Sequence, residues 1–221
     1  MKKSLLSITL SSLLATSAFV ATSASATDIE GLSANVGLVS QYFFRGVAQT
    51  STASASAGVD YESGNFSVGT WIADVELGLE IDLYGAYSDT LDNGLGYSVG
   101  FATYQYTEND FDTAYNEINL GASYDYFSIS YNIGTRDGDG AADTDYSFLS
   151  ATAEYEGFYA TYGTWGKDAD GDYIELGYGT EVSGFDLGVA VILNSEELQA
   201  GWTTEPAGNE ESLVFSIGKS F

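Results

Sequence analysis

Asp60, Asp82, Glu117, Glu154, Glu175 and Asp186 each fall on the small, polar parity of a stretch whose other parity is apolar. Carboxylates gathered on one face set a negative potential, and where that face lines a water-filled passage the potential draws cations and repels anions. The same six also read as ordinary solvated side chains. Arg45, directly before Gly46, is the one basic residue in a strand-like region of the first half. It reads as an ion pair fixing the turn after the first strand, or as a lumen charge facing carboxylates such as Asp82. The structural role is the preferred reading.

Most catalytic chemistry is ruled out by composition. The chain has no histidine and no cysteine, which removes the usual general base, the Ser-His triads, thiolate chemistry and the commonest transition-metal ligand. No G-x-S-x-G elbow, phosphate loop or metal signature appears, and no carboxylate pair stands out for acid–base work. We therefore expect no catalytic residues, no cofactor, no specific metal site and no enzyme. Two acidic runs, Asp137-Gly-Asp139-Gly-Ala-Ala-Asp143 and Asp168-Ala-Asp170-Gly-Asp172, have the glycine and carboxylate content of calcium loops without the EF-hand order. They read as solvated outward loops able to bridge to lipopolysaccharide through divalent ions. Trp71 and Trp202 read as girdle or packing rather than as sugar-stacking platforms.

The elements that would carry these residues are strands. Glycine (26), tyrosine (17) and phenylalanine (12) are abundant, and the single proline, Pro206, lies outside every strand drawn. Alternation and turn signals give about twelve strands, the first placed at 34–45 and the last at 212–221. Leu187, Val189 and Val191 oppose Asp186, Gly188 and Ala190; Leu213, Phe215 and Ile217 oppose Ser212, Ser216 and Gly218. Short turns such as Asp125-Tyr126, Glu156-Gly157 and Ser183-Gly184 alternate with longer acidic connections. Loops sorted by length onto opposite ends, with an even strand number, predict an all-β, up-and-down antiparallel barrel crossing a membrane. Aromatics near strand ends (Tyr61, Phe66, Tyr87, Tyr97, Tyr124, Tyr155, Phe158, Tyr173 and Phe185) read as interfacial girdles.

Pattern alone does not say which face is out; the loop asymmetry and the two ends of the sequence decide it. Lys2 and Lys3, an apolar stretch over 5–20 and Ala24-Ser25-Ala26 predict a secretory signal peptide over 1–26, leaving a barrel over 27–221. The only basic residues after it are Arg45, Arg136, Lys167 and Lys219 against 32 acidic ones, which excludes nucleic acid as a partner. The last strand ends on Phe221, and a barrel in lipid needs that strand complete, because unpaired backbone groups there are costly. Lys219 departs from the outward pattern and would snorkel to the interface. An apolar strand with a terminal Phe also resembles the assembly signal of bacterial outer-membrane barrels, here Phe215, Ile217 and Phe221.

The segments Asn35-Val-Gly-Leu-Val-Ser-Gln-Tyr-Phe-Phe-Arg-Gly46, Gly69-Thr-Trp-Ile-Ala73 and Leu79-Glu-Ile-Asp-Leu-Tyr-Gly-Ala-Tyr87 together resemble the TorF-type porins, a proteobacterial outer-membrane family. That resemblance implies a barrel in the outer membrane of a Gram-negative bacterium, presumed to be a pore. The resulting expectation is passive diffusion of small hydrophilic solutes or ions, with weak preference for cations. Its partners would be outer-membrane lipid, lipopolysaccharide and the barrel-assembly machinery, which would read the C-terminal strand. The alternative is a closed structural or surface-interaction barrel with acidic extracellular loops.

Overall fold

A computed structural model describes residues 29–108, 112–199 and 209–221. Its main element is one closed antiparallel barrel. In chain order the strands are β1 (Leu32–Val39), β2 (Phe43–Phe44), β3 (Val47–Ala48), β4 (Ser54–Ser63), β5 (Phe66–Asp74), β6 (Leu79–Thr90) and β7 (Gly96–Tyr106). They continue with β8 (Tyr115–Tyr124), β9 (Phe127–Arg136), β10 (Thr144–Tyr155), β11 (Phe158–Lys167), β12 (Asp172–Val182), β13 (Phe185–Asn194) and β14 (Glu211–Ser220). A four-residue helix, α1 (Glu196–Gln199), precedes β14. All strands but β2 and β3 form the barrel; each pairs with its sequence neighbours, and β1 closes on β14 from Asn35↔Ser220 to Val39↔Ser216. The barrel therefore has the predicted twelve strands in a meander.

Register fixes which side chains meet which solvent. Leu187 faces Ile217 and Val189 faces Phe215 across β13 and β14, and all four point outward and are exposed. The alternate set points inward, and Ala190, Ile192 and Val214 are buried. With exposed Leu, Ile, Val and Phe on every wall, the exterior is an apolar surface far larger than water tolerates on a soluble protein. Strands of 8 to 12 residues match the length needed to cross the hydrocarbon layer at a tilt. Among the described residues no helix is long and apolar enough to cross. The strands do it instead.

The two ends of the barrel differ as predicted. At one, β8/β9, β10/β11 and β12/β13 turn over in two residues, with positive φ at Glu156 and Gly157 and at Ser183 and Gly184, as the tightest hairpins require. The ends of β1 and β14 lie here too. Phe66, Phe127 and Phe158 stand out into the surroundings at 64%, 65% and 64% exposure, forming a ring of aromatics at this rim. Lys219 points outward in register with Val36, its ammonium 5.2 Å from the Phe185 ring and 5.1 Å from the Phe221 ring. Tyr173 departs from the girdle reading: it is buried, points inward, and sits at the long-loop end. Trp202 and Pro206 lie outside the described residues.

The largest departure concerns the first strand. The sequence reading runs it to Arg45, but β1 stops at Val39 and the chain turns inward. After Ser40, whose N–H still donates to the Phe215 carbonyl of β14, the chain leaves the wall, and β2 and β3 pair with each other (Phe43↔Ala48, Phe44↔Val47) as a miniature hairpin inside the barrel. Its tip is Arg45-Gly46, both at positive φ (51° and 84°), the geometry of a two-residue turn with Gly at its second position. The four strand residues of this hairpin are apolar and almost completely buried except for partly buried Phe44. That composition could have flagged a second hairpin, but an apolar run following an apolar strand reads more simply as its continuation.

Candidate functional site

The lumen has two halves. Toward the short-turn end it is lined by small residues such as Gly69, Gly121, Ser130, Ser150, Gly179 and Gly188, none fully buried. Toward the long-loop end the hairpin fills it. The tip crosses the interior and touches walls far apart in sequence. Tyr42 packs edge-on against Trp71 of β5, at 5.6 Å between centroids, and donates to Glu80 of β6 at 2.7 Å. On the far side, Trp165 of β11 donates to the Arg45 carbonyl at 3.1 Å and Asn194 of β13 donates to the Gly46 carbonyl at 2.9 Å. These two bonds satisfy backbone carbonyls that the tight turn leaves without partners in its own ladder.

Arg45 is the centre of the plug. Its guanidinium forks onto Glu117 of β8, with Nη1–Oε2 at 2.6 Å and Nη2–Oε1 at 2.8 Å, and both side chains are essentially inaccessible. Phe148 and Phe44 lie 4.6 and 4.8 Å from the guanidinium carbon, within cation–π range. Glu117 also accepts from the phenols of Tyr104 (3.2 Å) and Tyr146 (3.0 Å) and from Asn132 (3.1 Å). A buried ion pair is tolerable only when its remaining lone pairs are occupied in this way. The sequence reading offered Asp82 as the partner of Arg45; Glu117, 72 residues along the chain, takes that place instead.

The other anticipated lumen acids all face inward but are not gathered in one place. Asp82 is buried on β6, opposite Trp71 and Tyr104 in register, and its Oδ1 has no hydrogen-bond partner. Asp60 is half-buried and accepts from Tyr84 at 2.7 Å. Glu154 and Asp186 are half-buried near the short-turn end. Glu175 is buried on β12, six places round the ring from β6 and so across the lumen from Asp82. Glu80, which the sequence reading did not single out, shares the inward face of Asp82, being two residues away, and accepts from Tyr42 and from Tyr106 (2.8 Å). Parity alone could have identified it.

These carboxylates share one kind of hydrogen-bond donor. Tyr42 and Tyr106 serve Glu80, Tyr84 serves Asp60, Tyr104 and Tyr146 serve Glu117, and Tyr159 serves Glu175. In a chain so poor in Lys and Arg, phenols supply the donors that cations supply elsewhere. Tyrosine abundance therefore reflects the lumen as much as the girdle. Several of these rings pack against a glycine of the adjacent strand: Tyr84 against Gly69, Tyr146 against Gly134 and Tyr159 against Gly177, where a Cβ would strike the ring. Those glycines are positions where small size lets a ring lie along the wall.

The acidic loop runs at 137–143 and 168–172 sit at the long-loop end, where Lys167 approaches Asp145 at 3.8 Å. Arg136 binds Asp112 at 2.6 Å, and Asp112 also accepts from Tyr115 at 2.7 Å, anchoring the chain before β8 to the rim.

A closed ring with an apolar exterior, a polar interior and sorted loops is a transmembrane β-barrel, and the chain belongs to that class. It is also a member of a defined family: the profile described as bacterial protein of unknown function (Gcw_chp) matches residues 21–205, so the chain belongs to that family. The TorF-type designation is not part of that description. No curated protein matches the chain. Among solved structures, one described as "Unveiling the Mechanism Behind the in-meso Crystallization of Membrane Proteins" is 13% identical at TM-score 0.57, covering 86% of this chain and 83% of that one. That likeness concerns the fold alone. Acinetobacter baumannii OccAB3 is 12% identical at TM-score 0.45, covering 88% of this chain and 66% of that one. Pseudomonas aeruginosa OccK2 (OpdF) in complex with glucuronate is 14% identical at TM-score 0.40, covering 88% and 69%. At that level of likeness neither decides anything about this chain.

Proposed function

We propose that the protein is an outer-membrane channel of a Gram-negative bacterium, exported by the segment 1–26 and passing small hydrophilic solutes or ions by passive diffusion. The observation that carries this reading is the composition of the lumen. Its half toward the short turns is lined by glycine and serine, and among the described residues its inward charges are mainly carboxylates; Glu117 offsets Arg45, and Asp112 offsets Arg136 at the long-loop rim. An interior of that sign prefers cations. The inward hairpin restricts the passage, so the resting conductance is small for a twelve-stranded ring. Phe215, Ile217 and Phe221, all on the outward face of the closing strand, would be the surface that the assembly machinery reads, and the acidic outer loops would meet lipopolysaccharide through divalent ions. No catalytic role is proposed.

The test is the zero-current potential of the refolded protein in a planar bilayer separating unequal potassium chloride solutions. The expected sign is that of cation preference. Anion preference would contradict the reading. One specific observation favours the other reading, a closed surface barrel: the hairpin fills the outer half. An absence of single-channel events from correctly folded protein would decide for it.

A further inference from the structure

The plug does not seal evenly. Between the hairpin and the wall formed by β12 to β14 there is a cavity of about 10 Å³, room for one water-sized occupant. It is lined by Phe43 of the hairpin, Gln41 just before it, Tyr159, Glu175, Ile192 and Ser216. Glu175 is 1% exposed; its Oε1 accepts from the Tyr159 phenol at 2.5 Å, while Oε2 has no hydrogen-bond partner. None of the ion pairs among the described residues includes Glu175. The two observations are independent of one another: a void beside the carboxylate, and a carboxylate oxygen with nothing bonded to it.

We infer that Glu175 binds a small monovalent cation, of the size of potassium or ammonium, in this cavity. The polar groups lining it offer oxygens: the Glu175 carboxylate, the Tyr159 phenol, the Ser216 hydroxyl and the Gln41 amide carbonyl. Oxygen ligands suit hard cations. Calcium takes six to eight oxygens and magnesium an octahedron that keeps several waters, more than a one-occupant void can hold, so this single carboxylate suits a single charge. Phe43, Ile192 and Val214 form the apolar side of the cavity and lower the local dielectric, which strengthens the attraction between one carboxylate and one cation. Larger organic cations do not fit. The binding site stands on geometry alone; its position beside the plug places it on the ion route, and that second statement rests on the channel reading above.

The experiment measures thermal unfolding of the refolded barrel in micelles at constant ionic strength, exchanging N-methylglucamine chloride for potassium or ammonium chloride. The wild type should show a saturable rise in Tm of about 2–4 °C. Glu175→Gln, which keeps the shape and removes the charge, should lose it, while Asp92→Asn in the exposed turn between β6 and β7 should keep it. Should Glu175→Gln not refold, Tyr159→Phe retains the carboxylate but removes one oxygen of the cavity, and should shift saturation of the Tm rise to higher cation concentration; an unshifted curve overturns the inference. A wild type indifferent to the cation, or a Glu175→Gln variant that responds as the wild type does, overturns the inference: the cavity then holds water beside a protonated carboxyl. In parallel bilayer recordings the ratio of potassium to N-methylglucamine permeability should fall in Glu175→Gln. Saturable binding without conductance would sink the channel and leave the site; conductance without any cation effect on Tm would do the reverse.

Discussion

Arg45→Met is expected to cost the refolded barrel roughly 3–5 kcal/mol of unfolding free energy, the range for removing one partner of a buried ion pair. Methionine keeps much of the stem that packs among Phe44, Phe148 and Trp165, so the loss isolates the charge. What remains is Glu117, fully buried, with Tyr104, Tyr146 and Asn132 as its donors and no cation. Arg45→Lys should lose part of this amount, because an ammonium is a point charge that cannot fork across both oxygens while lying flat on the rings. Adding Glu117→Gln to Arg45→Met should recover a substantial share, since the uncompensated charge is then gone. Urea unfolding in lipid vesicles reads the wild type and all three variants. A loss under 0.5 kcal/mol for Arg45→Met, the range of ordinary surface substitutions, would mean that the hairpin is not held by this pair.

An outward charge should cost nearly as much for a different reason. Val189 and Phe215 pair across the middle of β13 and β14 and both face out. Phe215→Arg or Val189→Arg should each destabilise the barrel in lipid by about 2–4 kcal/mol, as expected for arginine on the lipid face at the midplane. Ser128→Arg, on the inward face near the short-turn rim, should be close to neutral because water reaches it. Equal costs for the inward and outward substitutions would remove the assignment of faces and the membrane with it.

The parts of this structure that sequence could reveal are those governed by period two. In β13 and β14 each outward apolar residue is separated from the next by an inward small one, and a membrane barrel needs nothing subtler to choose its faces. The two-residue turns Glu156-Gly157 and Ser183-Gly184 were equally visible, since few residues other than glycine take their second position. The inward acids follow from the same alternation, Glu80 as much as Asp82. What parity cannot show is where a chain leaves the wall. Phe43 and Phe44 are as apolar as the strand before them, and their partners Val47 and Ala48 become meaningful only once the turn at Arg45-Gly46 is known. The pairing of Arg45 with Glu117 joins residues 72 apart, and no local pattern encodes it. Tyrosine was ambiguous for a chemical reason: one ring with a wet end suits both a headgroup layer and a buried carboxylate. Tyr155 and Tyr146 differ in burial and not in type.

A hydrated lumen lies behind a lipid-facing wall, and the hairpin obstructs it. Single-channel conductance of the wild type and of a chain whose residues 41–49 are replaced by a short Gly-Ser linker, in the same salt, tests it most directly. Both chains should fold as barrels, with a conductance several times larger in the shortened one. Identical conductance in the two would show that the hairpin obstructs nothing, and would contradict it.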